Sequence, residues 1–128
     1  MPNDEIDVLN PPAFDEFRAH AADGPVQMLN LLDFKPNGGF ERYAEYGAAV
    51  APLLRRAGGH VVSAGASRGA MIGPSSWDLI AVVEYPTRQA FLDMVSSSEY
   101  QEIAHLRTEA LERAELHPMD PVEAPEAG

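Results

Sequence analysis

Few residues in this chain have the right type and spacing to do chemistry. In "SSSEYQEIAHLR", Ser96 to Arg107, an aromatic, a His and an Arg follow a run of three serines. Wound as a helix at about 100° per residue, Tyr100, Ile103, Ala104 and Arg107 share one face, and Ala110, Leu111 and Ala114 join it if the helix runs on to Glu115. His105 falls on the other side beside Glu109 and Glu112, where pairing with carboxylates on a solvated helix is ordinary. Arg107 stands in the apolar stripe, and a guanidinium there must snorkel out or meet an acceptor. It either binds a substrate carboxylate bidentately or pairs with a buried carboxylate such as Glu84 to hold the fold. Tyr100 offers a hydroxyl on the same face, or is an ordinary tyrosine at the rim of a core.

Further candidates are spread along the chain. In "VQMLNLLDF" Asn30 alternates onto the face of Val26, Met28, Leu32 and Phe34, and an amide among apolar side chains needs partners. It either orients a bound carbonyl or bonds to a neighbouring loop. Tyr43, and Trp77 with Asp78, are possible pocket residues, although a Trp is more often core or dimer contact. His60 opens a strand on the face of Val62 and Ala64. Of the histidines at 20, 60, 105 and 117 it is best placed to act as a base, with Glu84 the other candidate for moving a proton. No two of the four stand at a ligand spacing such as i,i+4, so a dedicated metal site is not expected. "GASRGAMIGPSS" lacks the Gly-Lys-Ser/Thr ending of a phosphate loop, and there is no nucleophile elbow. It reads as a mobile inter-strand loop able to cover a pocket.

Composition narrows the classes. The length of 128 residues, 45% of them hydrophobic, is that of one domain with one core. The formal charge of −11, with Lys35 the only lysine, argues against nucleic acid and anionic membrane as partners. The absence of cysteine removes disulfides, thiolate metal sites and cysteine nucleophiles. With neither a signal-like start nor an apolar run of membrane length, the expectation is a soluble cytoplasmic protein.

The elements that must position these residues follow from periodicity. After an acidic leader, "PPAFDEFRAHAADG" predicts a short helix with Phe14, Phe17, Arg18 and Ala21 on one face and Gly24 at its end. Strands are predicted over 26–34, 59–66 and 77–85. A helix over 39–57 carries Phe40, Tyr43, Ala44, Gly47, Ala51 and Leu54 on one side, stops at Gly58-Gly59 and contains Pro52, which should bend it. Thr87 caps a short helix, and Ser96 with Glu99 and Ser98 with Gln101 have capping-box spacing for a longer one from about Ser98 to Glu115. "ELHPM" reads as a short last strand. The order β-α-β-β-α-β is the split βαβ, ferredoxin-like arrangement, an α+β fold with a four-stranded antiparallel sheet and its helices on one face. We expect an extension over residues 1–25, the domain over 26–119, and a mobile or partner-bound acidic, Pro-rich tail over 120–128. Because the strands are apolar on both sides, the open sheet face should pair with a second copy in a homodimer.

The strings "MLNLLDF", "YAEYGAAVAPLLRRAGGHVV", "DLIAVVEYPTRQAFLDM" and "SSEYQEIAHLRTEALERAELH" resemble, in order and from Val26 to Met119, a family of small bacterial proteins of unknown function in the dimeric α/β-barrel superfamily. That superfamily includes cofactor-independent and haem-using monooxygenases, isomerases of small ring lactones and haem peroxidase relatives. The resemblance implies a dimer and a pocket between sheet and helices, and supplies no reaction. Haem-degrading members carry their ligand four residues after an aromatic on the last helix; here that position is Ala104 and His105 comes one residue late, which argues against haem. No cofactor is expected.

Two functional readings stay open. One is a homodimeric pocket protein, in its catalytic form a cofactor-independent monooxygenase- or isomerase-like enzyme on a small carboxylated or cyclic metabolite. In it Arg107 anchors an anion, Asn30 with Tyr43 or Tyr100 positions a carbonyl or hydroxyl, Trp77 and Asp78 line the site, and His60 or Glu84 moves a proton. The other is a non-catalytic ligand-binding or interaction module whose polar groups are structural.

Overall fold

The computed structural model describes residues 10–20 and 24–122. Four helices and four strands follow in the order α1 (Pro11–Ala19), β1 (Val26–Phe34), α2 (Gly39–Arg56), β2 (His60–Ala66), β3 (Leu79–Tyr85), α3 (Arg88–Ser96), α4 (Ser98–Ala110) and β4 (Leu111–Met119). The strands form one antiparallel sheet in the order β2-β3-β1-β4. This is the ferredoxin-like α+β arrangement, and in a single copy the sheet is open rather than closed into a barrel.

Register assigns every side chain to a face. On β1, Val26, Met28, Asn30 and Leu32 look one way, opposite Tyr85, Val83, Ala81 and Leu79 of β3. Leu116 and Ala114 of β4 stand beside Asn30 and Leu32 on that face. This is the helix-covered side. Val26, Met28 and Tyr85 pack under Leu53 and Leu54 of α2 and Phe91 and Met94 of α3, while Leu32 meets Ala110 and Leu111. Val26, Leu32 and Leu111 are fully buried, each contributing roughly 1.5–3 kcal/mol by leaving water. The open face carries Gln27, Leu29, Leu31 and Asp33, flanked by Glu84, Val82 and Ile80 on β3 and by Met119, His117, Glu115 and Arg113 on β4.

Two close approaches require glycine. At the start of α2 a Cβ on Gly39 would stand 2.7 Å from the Ala110 carbonyl oxygen, so only glycine lets the two helix ends meet. After α2, Gly58 takes φ +82 and its N–H, with that of Gly59, returns to the Arg55 and Leu54 carbonyls, which closes the helix as the Gly-Gly pair predicts.

The structure departs from the expected elements in four places. Helix α4 ends at Ala110, five residues before the expected Glu115, and β4 starts at Leu111 with no loop between them. Leu111 and Ala114 fit a helical stripe, whereas three residues apart they would fall on opposite faces of a regular strand; a register shift opposite Asp33 and Phe34 brings both to the covered face as β4 pairs with β1. Strand β3 begins at Leu79, so Trp77 and Asp78 precede it. The α4 cap is Ser97, the middle serine rather than Ser96 or Ser98; its hydroxyl accepts from the Tyr100 N–H at 3.1 Å and donates to the Met94 carbonyl at 2.7 Å. Helix α1 is capped by Asn10, whose side chain accepts from Ala13 N–H at 3.2 Å, and it ends at Ala19. Phe17 is its buried residue, set edge-on to Phe91 at 5.6 Å, whereas Ala21, placed on the same helix from sequence, lies outside the described residues, as do the leader over 1–9 and the tail from 123 onward.

Candidate functional site

Between the helix-covered side of the sheet and the helices lies a cavity of about 380 Å³. Its walls are mostly apolar, with Met28, Val83, Tyr85 and Leu79 from the sheet and Val50 and Leu54 from α2. Six side chains with polar groups border it: Asn30 from β1, Tyr85 from β3, Tyr43 and Tyr46 from α2, and Tyr100 and Arg107 from α4. Helical spacing gathers them, since Tyr43, Tyr46, Gly47 and Val50 follow i, i+3, i+4, i+7, and Tyr100 and Arg107 stand two turns apart.

The aromatic groups are linked. The Tyr46 and Tyr100 hydroxyls share a hydrogen bond of 2.9 Å. Their rings meet at 87° with centroids 6.2 Å apart, Tyr43 lies 5.4 Å from Tyr46, and Phe34 lies 5.5 Å from Tyr43. Burial pushes the Tyr43 phenol above its usual ionisation range, against a lowering influence of the Arg107 charge. Tyr46 is pushed up further, by burial first and then by Tyr100. Tyr85 rises for the same chief reason. At neutral pH these phenols are hydrogen-bond donors and not bases. Asn30 donates through Nδ2 to the Met28 carbonyl at 3.1 Å, which fixes the amide at the cavity wall.

Gly47 is informative by its missing side chain. Mid-helix glycine costs about 0.5–1 kcal/mol relative to alanine, and a Cβ here would meet nothing within 4 Å. The glycine is not forced by packing; it leaves space where α2 borders the cavity.

The candidates named from sequence divide cleanly. Asn30, Tyr43, Tyr100 and Arg107 converge on the cavity. His60 and Glu84 do not. Glu84 lies on the open face, where its Oε1 accepts from Gln27 Nε2 at 2.9 Å, so it is separated from Arg107 by the sheet itself. His60 stands directly across from Glu84, because a bulge between Val61 and Ser63 inserts one residue and puts Val61 and Ala64, not His60, on the cavity side. His105 is exposed on the outer side of α4.

Trp77 and Asp78 serve the loop after β2. Asp78 Oδ2 accepts from Phe34 N–H at 2.9 Å, and the Asp78 N–H donates to Asp33 Oδ1 at 2.8 Å. Arg113 lies 3.8 Å over the Trp77 ring and donates through Nε to Asp33 Oδ2 at 2.9 Å. These contacts pin the loop's return to the end of β1, and neither residue lines the cavity. Sequence reasoning missed Tyr46 as a site residue and passed over the void beside Gly47. The i,i+3 spacing of Tyr43 and Tyr46 was the available signal. Among the described residues no three His, Asp or Glu side chains cluster as a metal site, and no helix is long and apolar enough to cross a membrane.

Comparison with known proteins places this architecture. The model described as "Domain of unknown function (DUF1330)" matches residues 39–117. The chain belongs to this DUF1330 family. A protein of unknown function from Rhodopseudomonas palustris is 34% identical, with a TM-score of 0.84 over 91% of this chain and 96% of that one. More distant structures share the fold alone. A protein from Arabidopsis thaliana is 15% identical, with a TM-score of 0.61 over 78% of this chain and 98% of its own. One from Bacteroides fragilis, described as dimeric, of unknown function and with a ferredoxin-like fold, is 12% identical, with a TM-score of 0.53 over 77% and 97%. No curated protein matches the chain. For the DUF1330 family, then, the fold is shared and the chemistry must be read from the cavity.

Proposed function

We propose that this protein binds a small carboxylated or ring-containing metabolite in the cavity between sheet and helices, and that it works as a homodimer joined through the open sheet face. The observation that carries the reading is the convergence of Asn30, four tyrosines and Arg107 on one apolar-walled space of about 380 Å³, the size range and polar-to-apolar balance of small-molecule sites. Arg107 supplies positive charge for an anion, the phenols supply donors, and Asn30 holds a wall position from which an amide can meet a polar atom. Binding and orientation fit this lining better than acid–base catalysis by His60 or Glu84, which face away from it. Support for the dimer comes from the apolar centre of the open face, where Ile80 remains 36% exposed in the single copy, and from the dimeric description of the Bacteroides fragilis neighbour.

The test is a panel of small ring carboxylates, benzoate among them, titrated into the protein and followed by protein NMR. Binding is expected in the native chain, with losses of roughly tenfold or more in Arg107→Gln through the missing charge-assisted bonds. Gly47→Leu is the second arm: it replaces a helix-weakening residue with a helix-favouring one while filling the space, so it should fold at least as well and bind nothing. Unaltered binding in Gly47→Leu would show that the ligand sits elsewhere.

A further inference from the structure

We infer that the Tyr46–Tyr100 hydroxyl couple is an oxyanion site, and that the ligand it takes is a small ring compound bound through the ionised oxygen of an acidic phenol or enol. This rests on the pocket reading above and narrows its ligand class. Two phenols carry two hydroxyl protons, and the 2.9 Å bond between them uses one. Whichever tyrosine accepts, its own proton points away from its partner, and both residues border the cavity. The bond already received polarises that second O–H and makes it a stronger donor, by about 10–30% on condensed-phase estimates. A hydrogen bond to an ionised oxygen is in turn about twice as strong as one to a neutral oxygen.

The surroundings point the same way. Arg107 shares the wall, and its positive field is felt at both Tyr43 and Tyr46, so negative charge is favoured where the couple directs its proton. Burial holds the Tyr46 phenol neutral, so the donor survives at the pH where an acidic phenol or enol has ionised. A single convergent donor suits one oxygen on a ring rather than the paired oxygens of a carboxylate, which match a guanidinium fork. The rings of Tyr43, Tyr46 and Tyr100, at centroid spacings of 5.4 and 6.2 Å, give a flat ligand faces and edges to pack against.

The experiment uses 4-nitrophenol, whose phenolate is told from the phenol by its visible absorbance, with 4-nitroanisole as the ether that cannot ionise. The native chain is expected to bind the phenolate about tenfold or more tighter than the phenol, lowering the probe's apparent pKa by a corresponding unit. Tyr46→Phe and Tyr100→Phe, which keep the ring and remove one hydroxyl each, should each reduce that shift, and the double variant, which retains neither hydroxyl, should abolish it with 4-nitroanisole still bound. Binding of 4-nitrophenol in its neutral form, or a shift that persists in the double Phe variant, would overturn the oxyanion site and leave the pocket standing. So would failure of both nitro probes while benzoate binds. If benzoate and both probes all fail to bind, the pocket reading falls and this inference with it.

Discussion

The two faces of the sheet are built from similar residue types and end in different states. Each carries aliphatic side chains and a few polar or charged groups. On the open face the polar groups meet one another: Glu84 accepts from Gln27, Arg113 pairs with Asp33 at 2.8 Å, and Glu115 reaches His117 at 2.8 Å. On the helix-covered face Asn30, the tyrosines and Arg107 surround an open space. The lesson is that residue type does not make a site. His60 and Glu84 are better acid–base groups than any phenol, yet they stand in a register position where a cross-strand neighbour or solvent takes them up, whereas weaker groups border one shared cavity.

This contrast can be broken in three ways. The largest effect is expected at Leu32, fully buried on the covered face. Leu32→Ala should cost about 2–5 kcal/mol in urea denaturation at any protein concentration. Leu29→Ala, on the open face, should cost about 1 kcal/mol or less in an isolated copy, with any further loss depending on concentration. Equal, concentration-independent losses would erase the distinction between the faces. Next comes Ile80→Asp, which puts a charge at the centre of the open face. Sedimentation velocity should show a dimer in the native chain and a folded monomer in the variant; a variant that still sediments as a dimer places the interface elsewhere. The smallest effect concerns the buried phenols. Tyr43, Tyr46 and Tyr85 are all raised above the usual 10.0, so above that pH the unfolded chain releases protons that the folded chain retains. Their contribution is therefore intact below about pH 10 and is lost as pH climbs from there toward the folded values. Tyr46→Phe should soften the alkaline fall in melting temperature, and an identical alkaline profile in the variant would contradict the burial of that phenol.

Much of the fold was legible because its signals are local. The alternation in "VQMLNLLDF", the stripe of Tyr43, Gly47, Ala51 and Leu54, the Gly58-Gly59 stop and Thr87 as a cap, whose hydroxyl accepts from Ala90 N–H at 3.0 Å, each depend on a few neighbouring residues. Arg107 and Tyr100 were read as inward-facing because both lie on a regular stretch of helix. Two of the failures arose where a distant partner intervenes. The end of α4 was hidden because Leu111 and Ala114 continue its helical stripe, and only pairing with β1, through an irregular register, turns the segment into a strand. His60 was assigned to the wrong face because one bulged residue reverses strand parity, and a bulge has no fixed sequence mark.

By itself, then, the sequence determined the order of the elements and the apolar stripes, since these are written in local spacing, while the family came through the resemblance of whole strings. Only the tertiary structure decided which polar residues share a space. That depends on strand register and on how α2 and α4 lie against the sheet, and both are set by contacts between residues far apart in the chain, as when Tyr46 and Tyr100 bring their hydroxyls to 2.9 Å.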